Sequence, residues 1–349
     1  MTAPDLRVVV ATPLPDDLHA LVVDRTGVDL VREPDLLPPM RWPGDFGGDP
    51  AFRRTPEQQA RFDALLDSAD VLYGIPDVSP AALARTVRAN PRLRWVQAMA
   101  AGSGAQVRAA GLTAAELDRV VVTTSAGVHA GPLAEFALLG LLAGAKQVPR
   151  LRADQRDHRW PGRWSTAQVA DQTVVVVGLG HIGVEVARLA AALGARVVGV
   201  NKSAKDVPGV ERVLPPDRLA EAVAAADAVV VTLPGTEATH HLVSAEVLAA
   251  FRPGTTFVSV GRGTVVDEAA LVRAIEDGRV GYAALDVFEV EPLPASSPLW
   301  DLPQVLVSPH TAANSPAEER RIAELFCDNV DRFREGRPLR NVVDTHDFY

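Results

Sequence analysis

Short β-branched runs alternate along the chain with Ala-, Leu- and Glu-rich segments whose apolar positions recur at helical spacing. That alternation predicts βαβ units, and strands joined by crossover helices pair in parallel. It comes in two series. The first predicts strands at "LRVVVAT", "DVLYGIP", "LRWVQAM" and "VVVTT", with a helix at "SPAALARTVRA". The second predicts six strands, at "QTVVVVG", "ARVVGVN", "DAVVVTLP", "TTFVSVG", "GYAALDV" and "QVLVSPH", as in a doubly wound sheet. Among the early strands, "REPDLLPPMRWPGDFGGDP" is rich in Pro and Gly and predicts a surface excursion without regular structure. "FALLGLLAGA", Phe136 to Ala145, is about half the ~20 residues a bilayer demands and predicts a buried helix. "SPAEERRIAELFCDNVDRFREG" predicts a long amphipathic helix that packs through Ile322, Leu325, Phe326 and Val330.

Composition narrows the function classes. With 349 residues, 47% of them hydrophobic, the chain can bury a sizeable core and divide it between two domains. A formal net charge of -9 argues against a nucleic-acid footprint, which needs clustered Lys and Arg. One cysteine, Cys327, excludes an internal disulfide framework and a Cys-based zinc site, and no metal is expected. "MTAPDLRVVVATPLPDDLH" shows no basic region leading into a long apolar stretch, so no signal peptide is visible and a cytoplasmic protein is expected.

The strongest motif is "VVVVGLGHIGVEVARLAAALGARVVGV", in which Gly178, Gly180 and Gly183 form GxGxxG directly after a strand and at the start of a helix. The first glycine permits a tight turn and the second lets backbone approach a pyrophosphate. The third seats the helix against the strand, and the helix N-terminus offers free N–H groups to the anion. Dinucleotide binding is therefore expected. An NAD-specific site usually carries Asp or Glu at the end of the next strand to bind the ribose hydroxyls. Here Asn201 stands there, followed by Lys202, Ser203 and Lys205, and the first carboxylate is Asp206. A neutral residue, two cations and a hydroxyl attract a 2'-phosphate, so NADP(H) is favoured and NAD(H) remains possible; ordinary solvated lysines are the bland alternative.

In an open parallel sheet, ligands bind outside the carboxyl ends of the strands. Three polar residues stand at those ends: Arg262 after "TFVSVG", Glu291 after "ALDVFEV" and His310 after "VLVSP". A guanidinium can hold an anionic substrate in a fork of two hydrogen bonds, a histidine is a natural proton donor, and a glutamate beside it orients the ring and stabilises its cation. A structural Arg–Glu pair and an isolated structural histidine are the competing interpretation.

These motifs together resemble the D-isomer-specific 2-hydroxyacid dehydrogenases over nearly the whole chain. The resemblance is carried by "SAGVHAGPLAEF", "VGLGHIG", "LPGTEATHHLVS", "SVGRGTVVDEAAL", "ALDVFEVEP" and "SPHTAA". It implies an α/β fold of two doubly wound parallel-sheet domains, a Rossmann cofactor domain inserted in a flavodoxin-like substrate domain. Residues 1–118 would begin the substrate domain, 119–312 would bind cofactor and 313–349 would return, with crossings near Arg119 and Ala313. Arg262 would bind the 2-keto acid's carboxylate and carbonyl, His310 would be the acid/base and Glu291 its partner. Backbone N–H groups of Ala101 and Gly102 would help hold the carboxylate. Asp286 would contact the nicotinamide amide, and His181, Ile182, Leu233 and Pro234 would join the glycines at the cofactor. "EPLPASSPLWDLP" and "NKSAKDVPGV" are most similar to the glyoxylate and hydroxypyruvate reductase branch, which commonly uses NADPH.

Two departures touch the substrate pocket: Ser259 stands where many members have Asn, and residues 103–106 replace a more usual "GVD". Trp160 and Trp164 lie on a segment that in relatives reaches across a dimer interface, so a homodimer is implied; two surface-anchoring aromatics are the equal alternative. Other classes stay open. A corepressor or redox-sensing branch keeps the same triad, and phosphite oxidation uses a similar Arg, Glu and His set. A formate dehydrogenase of this superfamily would carry Gln where Glu291 stands.

Overall fold

The computed structural model describes residues 6–204, 206–346 and 348. The chain folds into two compact units, one built from residues up to Val128 together with those from Asn314 onward, the other from His129–Ala313.

In the first unit, β1 (Arg7–Val10), β2 (Asp29–Val31), β3 (Val71–Tyr73), β4 (Trp95–Gln97) and β5 (Val121–Thr123) form an all-parallel sheet in the order β2-β1-β3-β4-β5. That is the flavodoxin-like order. β2 is absent from the sequence prediction, because three residues starting at an exposed Asp29 carry too little apolar pattern. Local chemistry sets the helices. Thr55 and Gln58 form a reciprocal capping box at the start of Pro56–Asp67, and Gly27, at φ 61°, closes Asp16–Thr26 in the left-handed region. The amphipathic helix Glu318–Arg334 joins this unit: the Phe326 ring stacks on Trp95 at 5.0 Å and meets Tyr73 edge-on at 5.0 Å. Ile322, Phe326 and Val330 are buried as expected, and Leu325 is half-buried.

The Pro- and Gly-rich stretch is not wholly a surface excursion. It forms a 3-10 turn at Pro34–Leu36, buries Leu36 and Leu37, and seats Asp45 under the Arg41 guanidinium at 2.7 Å. The unit boundary also differs from the expected crossing at Arg119. β5 lies beyond that point yet pairs with β4, so the first unit holds the chain until Val128. The second crossing falls at Ala313/Asn314.

The second unit holds seven parallel strands: β6 (Thr173–Val177), β7 (Arg196–Val200), β8 (Val210–Leu214), β9 (Ala228–Val231), β10 (Thr255–Ser259), β11 (Val280–Leu285) and β12 (Val305–Val307). Their order is β12-β11-β10-β9-β6-β7-β8, a Rossmann sheet that reverses direction between β6 and β9. Six strands match the sequence prediction. The seventh, β8, is an edge strand whose Glu211 and Arg212 face solvent, which hides it from any apolar count. Its central strands are buried on both faces and read as near-continuous Val and Ala, as parallel sheets require. The apolar stretch from Phe136 lies in the helix Ala130–Ala145, which packs Leu133, Ala137 and Leu141 inward. It is not buried all round, because Leu139 and Leu142 remain exposed at 51% and 39%.

Candidate active site

At the reversal of the second sheet, β6 runs through Gly178–Gly183 into the helix His181–Ala192. Gly178 turns the chain at φ 95°, a region costly for residues with a Cβ. A Cβ on Gly183 would lie 1.8 Å from the Gly178 carbonyl oxygen, whereas one on Gly180 would meet nothing within 4 Å. The third glycine therefore permits helix–strand contact, and the second leaves open space beside the backbone. The first intrahelical bond is from Val184 N–H to the Gly180 carbonyl, so the N–H groups ahead of it, those of His181 and Ile182 included, face the positive end of the helix dipole. Leu233 flanks the turn: a Cβ on Gly178 would approach its side chain to 2.8 Å. Pro234 follows it, exposed.

At the end of β7, Asn201 spends its carboxamide on the turn. Its Oδ1 accepts from Leu179 N–H at 3.1 Å, and its Nδ2 donates to the carbonyl and hydroxyl oxygens of Ser203 at 3.0 and 3.2 Å. Lys202 and Ser203 are exposed, and Lys205 lies outside the described residues.

His310 and Glu291 meet at 2.7 Å, ring Nδ1 to carboxylate Oε2. Both carboxylate oxygens are used, since Oε1 accepts from Phe288 N–H at 3.0 Å, which fixes the carboxylate on its own loop. His310 sits at φ 51°, a left-handed conformation that costs a non-glycine residue on the order of 1 kcal/mol. The strain is held by Asp286, at the end of β11 and fully buried. Its Oδ1 accepts from the Ser308 hydroxyl at 2.5 Å and from the N–H groups of Thr311 and Ala312 at 2.9 and 3.0 Å. Successive N–H groups converging on one anion make a nest, and charge-assisted bonds of this kind are roughly twice as strong as neutral ones.

The other oxygen of Asp286, Oδ2, is buried without a hydrogen-bond partner among the described residues. A carboxylate oxygen buried in this way usually finds a donor. An orphaned acceptor after β11, in the sheet whose β6 leads into an open glycine turn, fits a dinucleotide whose carboxamide reaches Oδ2. The residues present thus fit NAD(P).

Arg262 follows β10 and is drawn toward the Glu291 loop. The residue after it, Gly263, lies so close to Phe288 that a Cβ would sit 1.9 Å from the Phe288 carbonyl carbon. Arg262 itself is exposed, and its Nη1 donates to the Gly261 carbonyl at 2.8 Å. Glu291 and His310 are thus brought together, and Asp286 is tied to the His310 loop. Ala101 and Gly102 belong to the first unit, in the turn between β4 and the helix Gly104–Ala109. Trp160 and Trp164 part company: Trp160 is 98% exposed, while Trp164 is half-buried beneath the Arg150 guanidinium at 3.9 Å.

Two features escape sequence reasoning. The loop-holding role of Asp286 depends on bonds to residues 22, 25 and 26 positions away. A second His–Glu pair, His241 Nε2 to Glu289 Oε1 at 2.7 Å, also anchors this loop, and only the adjacent "HH" of "ATHHLVS" hints at it.

The NAD-binding domain of the D-isomer specific 2-hydroxyacid dehydrogenases matches residues 138–312 of the chain. A glyoxylate reductase of Korarchaeum cryptofilum is 33% identical over 234 residues, covering 64% of this chain and 69% of that protein. A D-3-phosphoglycerate dehydrogenase of Mycobacterium tuberculosis is 37% identical over 262 residues, 75% of this chain but 49% of its own length. A D-isomer specific 2-hydroxyacid dehydrogenase from Xanthobacter autotrophicus Py2, solved in complex with NADPH and MES, is 30% identical. It superposes with a TM-score of 0.76 over 99% of this chain and 100% of that one. The Rossmann sheet, the glycine turn and these likenesses define an NAD(P)-dependent oxidoreductase acting on CH–OH groups. The chain belongs to the D-isomer specific 2-hydroxyacid dehydrogenase family.

Proposed function

We propose that the chain reduces a 2-keto acid of the glyoxylate and hydroxypyruvate type to the D-2-hydroxy acid, with NADPH favoured over NADH. The observation that carries this reading is the 2.7 Å pair of His310 with Glu291, on a loop that Asp286 holds in a left-handed turn. Bound NAD(P)H supplies the hydride. Arg262 binds the carboxylate and the keto oxygen through its guanidinium fork and stabilises the charge that grows on that oxygen. His310, doubly protonated, donates the Nε2 proton to the same oxygen while Nδ1–H stays on Glu291. Ala101 and Gly102 are the first unit's proposed contribution to carboxylate binding.

The preference for NADPH rests on what surrounds Asn201. No carboxylate stands in the run from Asn201 to Lys205 to repel a 2'-phosphate, and Lys202 with the Ser203 hydroxyl offers exposed donors. We also propose self-association into a homodimer, supported by exposed Leu139, Leu142, Leu151 and Trp160 in one unit. No helix among the described residues is long and apolar enough to cross a membrane, and a cytoplasmic site of action belongs to this reading.

The test is turnover of purified protein with NADPH or NADH and a panel of 2-keto acids, followed at the nicotinamide absorbance. Consumption dependent on the keto acid supports the reading. Cofactor binding without consumption would favour a corepressor or redox-sensing role.

A further inference from the structure

Within the second unit, His240, His241 and Glu289 form a cluster separate from the His310–Glu291 pair. One ring nitrogen of each histidine and one carboxylate oxygen of Glu289 all lie within 4.8 Å of one another. His241 Nε2 stands 2.7 Å from Glu289 Oε1, and the His240 ring stacks on the His241 ring at 4.1 Å. The backbone sets this convergence. The 3-10 turn Glu237–Thr239 leads directly into His240, and His241 follows at φ 49°, its N–H bonded to the Thr264 carbonyl at 2.9 Å. Glu289 lies beyond β11, where its own N–H donates to Glu268 Oε2 at 3.0 Å. A second carboxylate therefore stands beside the cluster, and neither glutamate pairs with a Lys or Arg among the described residues. The site is open to solvent: His240 is exposed, and the side chains of His241 and Glu289 are 36% and 34% exposed.

We propose that His240, His241 and Glu289 bind a zinc ion, with water in the fourth position. Donor chemistry selects the metal. Two imidazole nitrogens and one carboxylate suit zinc, whereas magnesium and calcium demand oxygen ligands. The single cysteine excludes thiolate zinc sites and leaves a histidine–carboxylate site open. Size agrees with charge. Zinc bonds of about 2.0–2.2 Å in a tetrahedron set ligand atoms about 3.3 Å apart. The separations present, 2.7 Å across one edge and no more than 4.8 Å across the others, bracket that figure, so rotation of exposed side chains closes the site. The ion takes the place of the proton shared by His241 and Glu289, which leaves to solvent. It would brace the segment after β9, which carries Leu233 at the glycine turn, against the loop that carries Glu291. This assignment stands apart from the 2-keto acid reading, because no ligand belongs to the residues proposed to touch substrate.

The experiment is calorimetric titration of the untagged, chelator-treated full chain with Zn2+, paired with thermal unfolding with and without the ion. The wild type should bind one zinc with a Kd of about 10 µM or tighter, and its unfolding midpoint should rise with zinc. His240→Gln and Glu289→Gln should each weaken binding by about tenfold or more and remove the rise, since each deletes one of three ligands. His310→Gln should bind zinc as the wild type does, which separates this site from the His310–Glu291 pair. Mg2+ at the same concentration should give neither heat nor a shift. Because His240 is exposed, His240→Gln leaves the fold in place and its result holds whatever becomes of Glu289→Gln. No zinc binding at about 100 µM, an affinity unchanged in both cluster variants, a loss confined to His310→Gln, or equal binding of Mg2+ would each overturn the assignment.

Discussion

Glu291 Oε2 stands 2.7 Å from His310 Nδ1, across 19 residues of sequence, and the other carboxylate oxygen is bound by Phe288 N–H. A carboxylate anchored at one oxygen orients an imidazole through the other, which leaves Nε2 as the nitrogen that can face a substrate. His310→Gln should therefore keep cofactor affinity and lower kcat by about a thousandfold, the range of general acid catalysis. Glu291→Gln, which still accepts a bond from Nδ1–H but no longer stabilises the cation, should lie between it and wild type. Steady-state rates combined with equilibrium titration of NADPH separate the two effects; parallel loss of NADPH affinity would contradict the assignment.

Arg262 is placed by Gly263 against the Phe288 backbone. Arg262→Ala should reduce kcat/KM by on the order of a hundredfold to a thousandfold, as removal of a transition-state donor does. Arg262→Lys should recover only part of it, because an ammonium cannot make the planar fork. The check is kcat/KM for one keto acid across wild type and both variants; full recovery by lysine would show that charge alone matters there.

The run Asn201 to Lys205 sets cofactor choice in this account. Lys202→Ala together with Lys205→Ala should cut the ratio of kcat/KM for NADPH over NADH by about tenfold, the worth of a charged hydrogen bond. An unchanged ratio would show that the loop does not read the phosphate.

Cys327 is fully buried on the helix Glu318–Arg334, and burial pushes its thiol up to about 11. Its folded value lies above the unfolded one near 8.5, so the neutral thiol's contribution is complete below that value. It is lost as pH rises from there through about 11. Stability should therefore fall over that interval by on the order of 3 kcal/mol, and Cys327→Ala should flatten the slope. Denaturant titrations at a series of alkaline pH values measure it. At neutral pH, thiol reagents should label Cys327 only after unfolding.

The parts of the fold legible in the sequence are those whose signal is local. The run "VVVVGLGHIG" writes strand, turn and helix into adjacent residues, and the polar residues closing β10, β11 and β12 stand out against apolar neighbours. β2 and β8 are hidden because edge strands bury little and can carry charge, as Glu211 and Arg212 do. Residues 32–50 mislead because Pro and Gly punctuate a segment that still buries Leu36, Leu37 and Asp45. The crossing at Arg119 is misplaced because nothing in "VVVTT" tells which sheet the strand joins. Within the site, residue identities are visible and their mutual support is not. That Asp286 holds the His310 turn, and that His241 ties down Glu289, follows from hydrogen bonds spanning 22 to 48 residues of sequence.

The central claim is that hydride passes to C2 of a 2-keto acid while His310 protonates its oxygen. Incubating the protein with NADPH carrying deuterium at both C4 positions and a 2-keto acid of three or more carbons, then analysing the product by mass and chirality, tests it most directly. The account predicts a D-2-hydroxy acid bearing one deuterium on C2, formed by the wild type and nearly absent with His310→Gln. Unlabelled product, the L configuration, or no product from any 2-keto acid would contradict it.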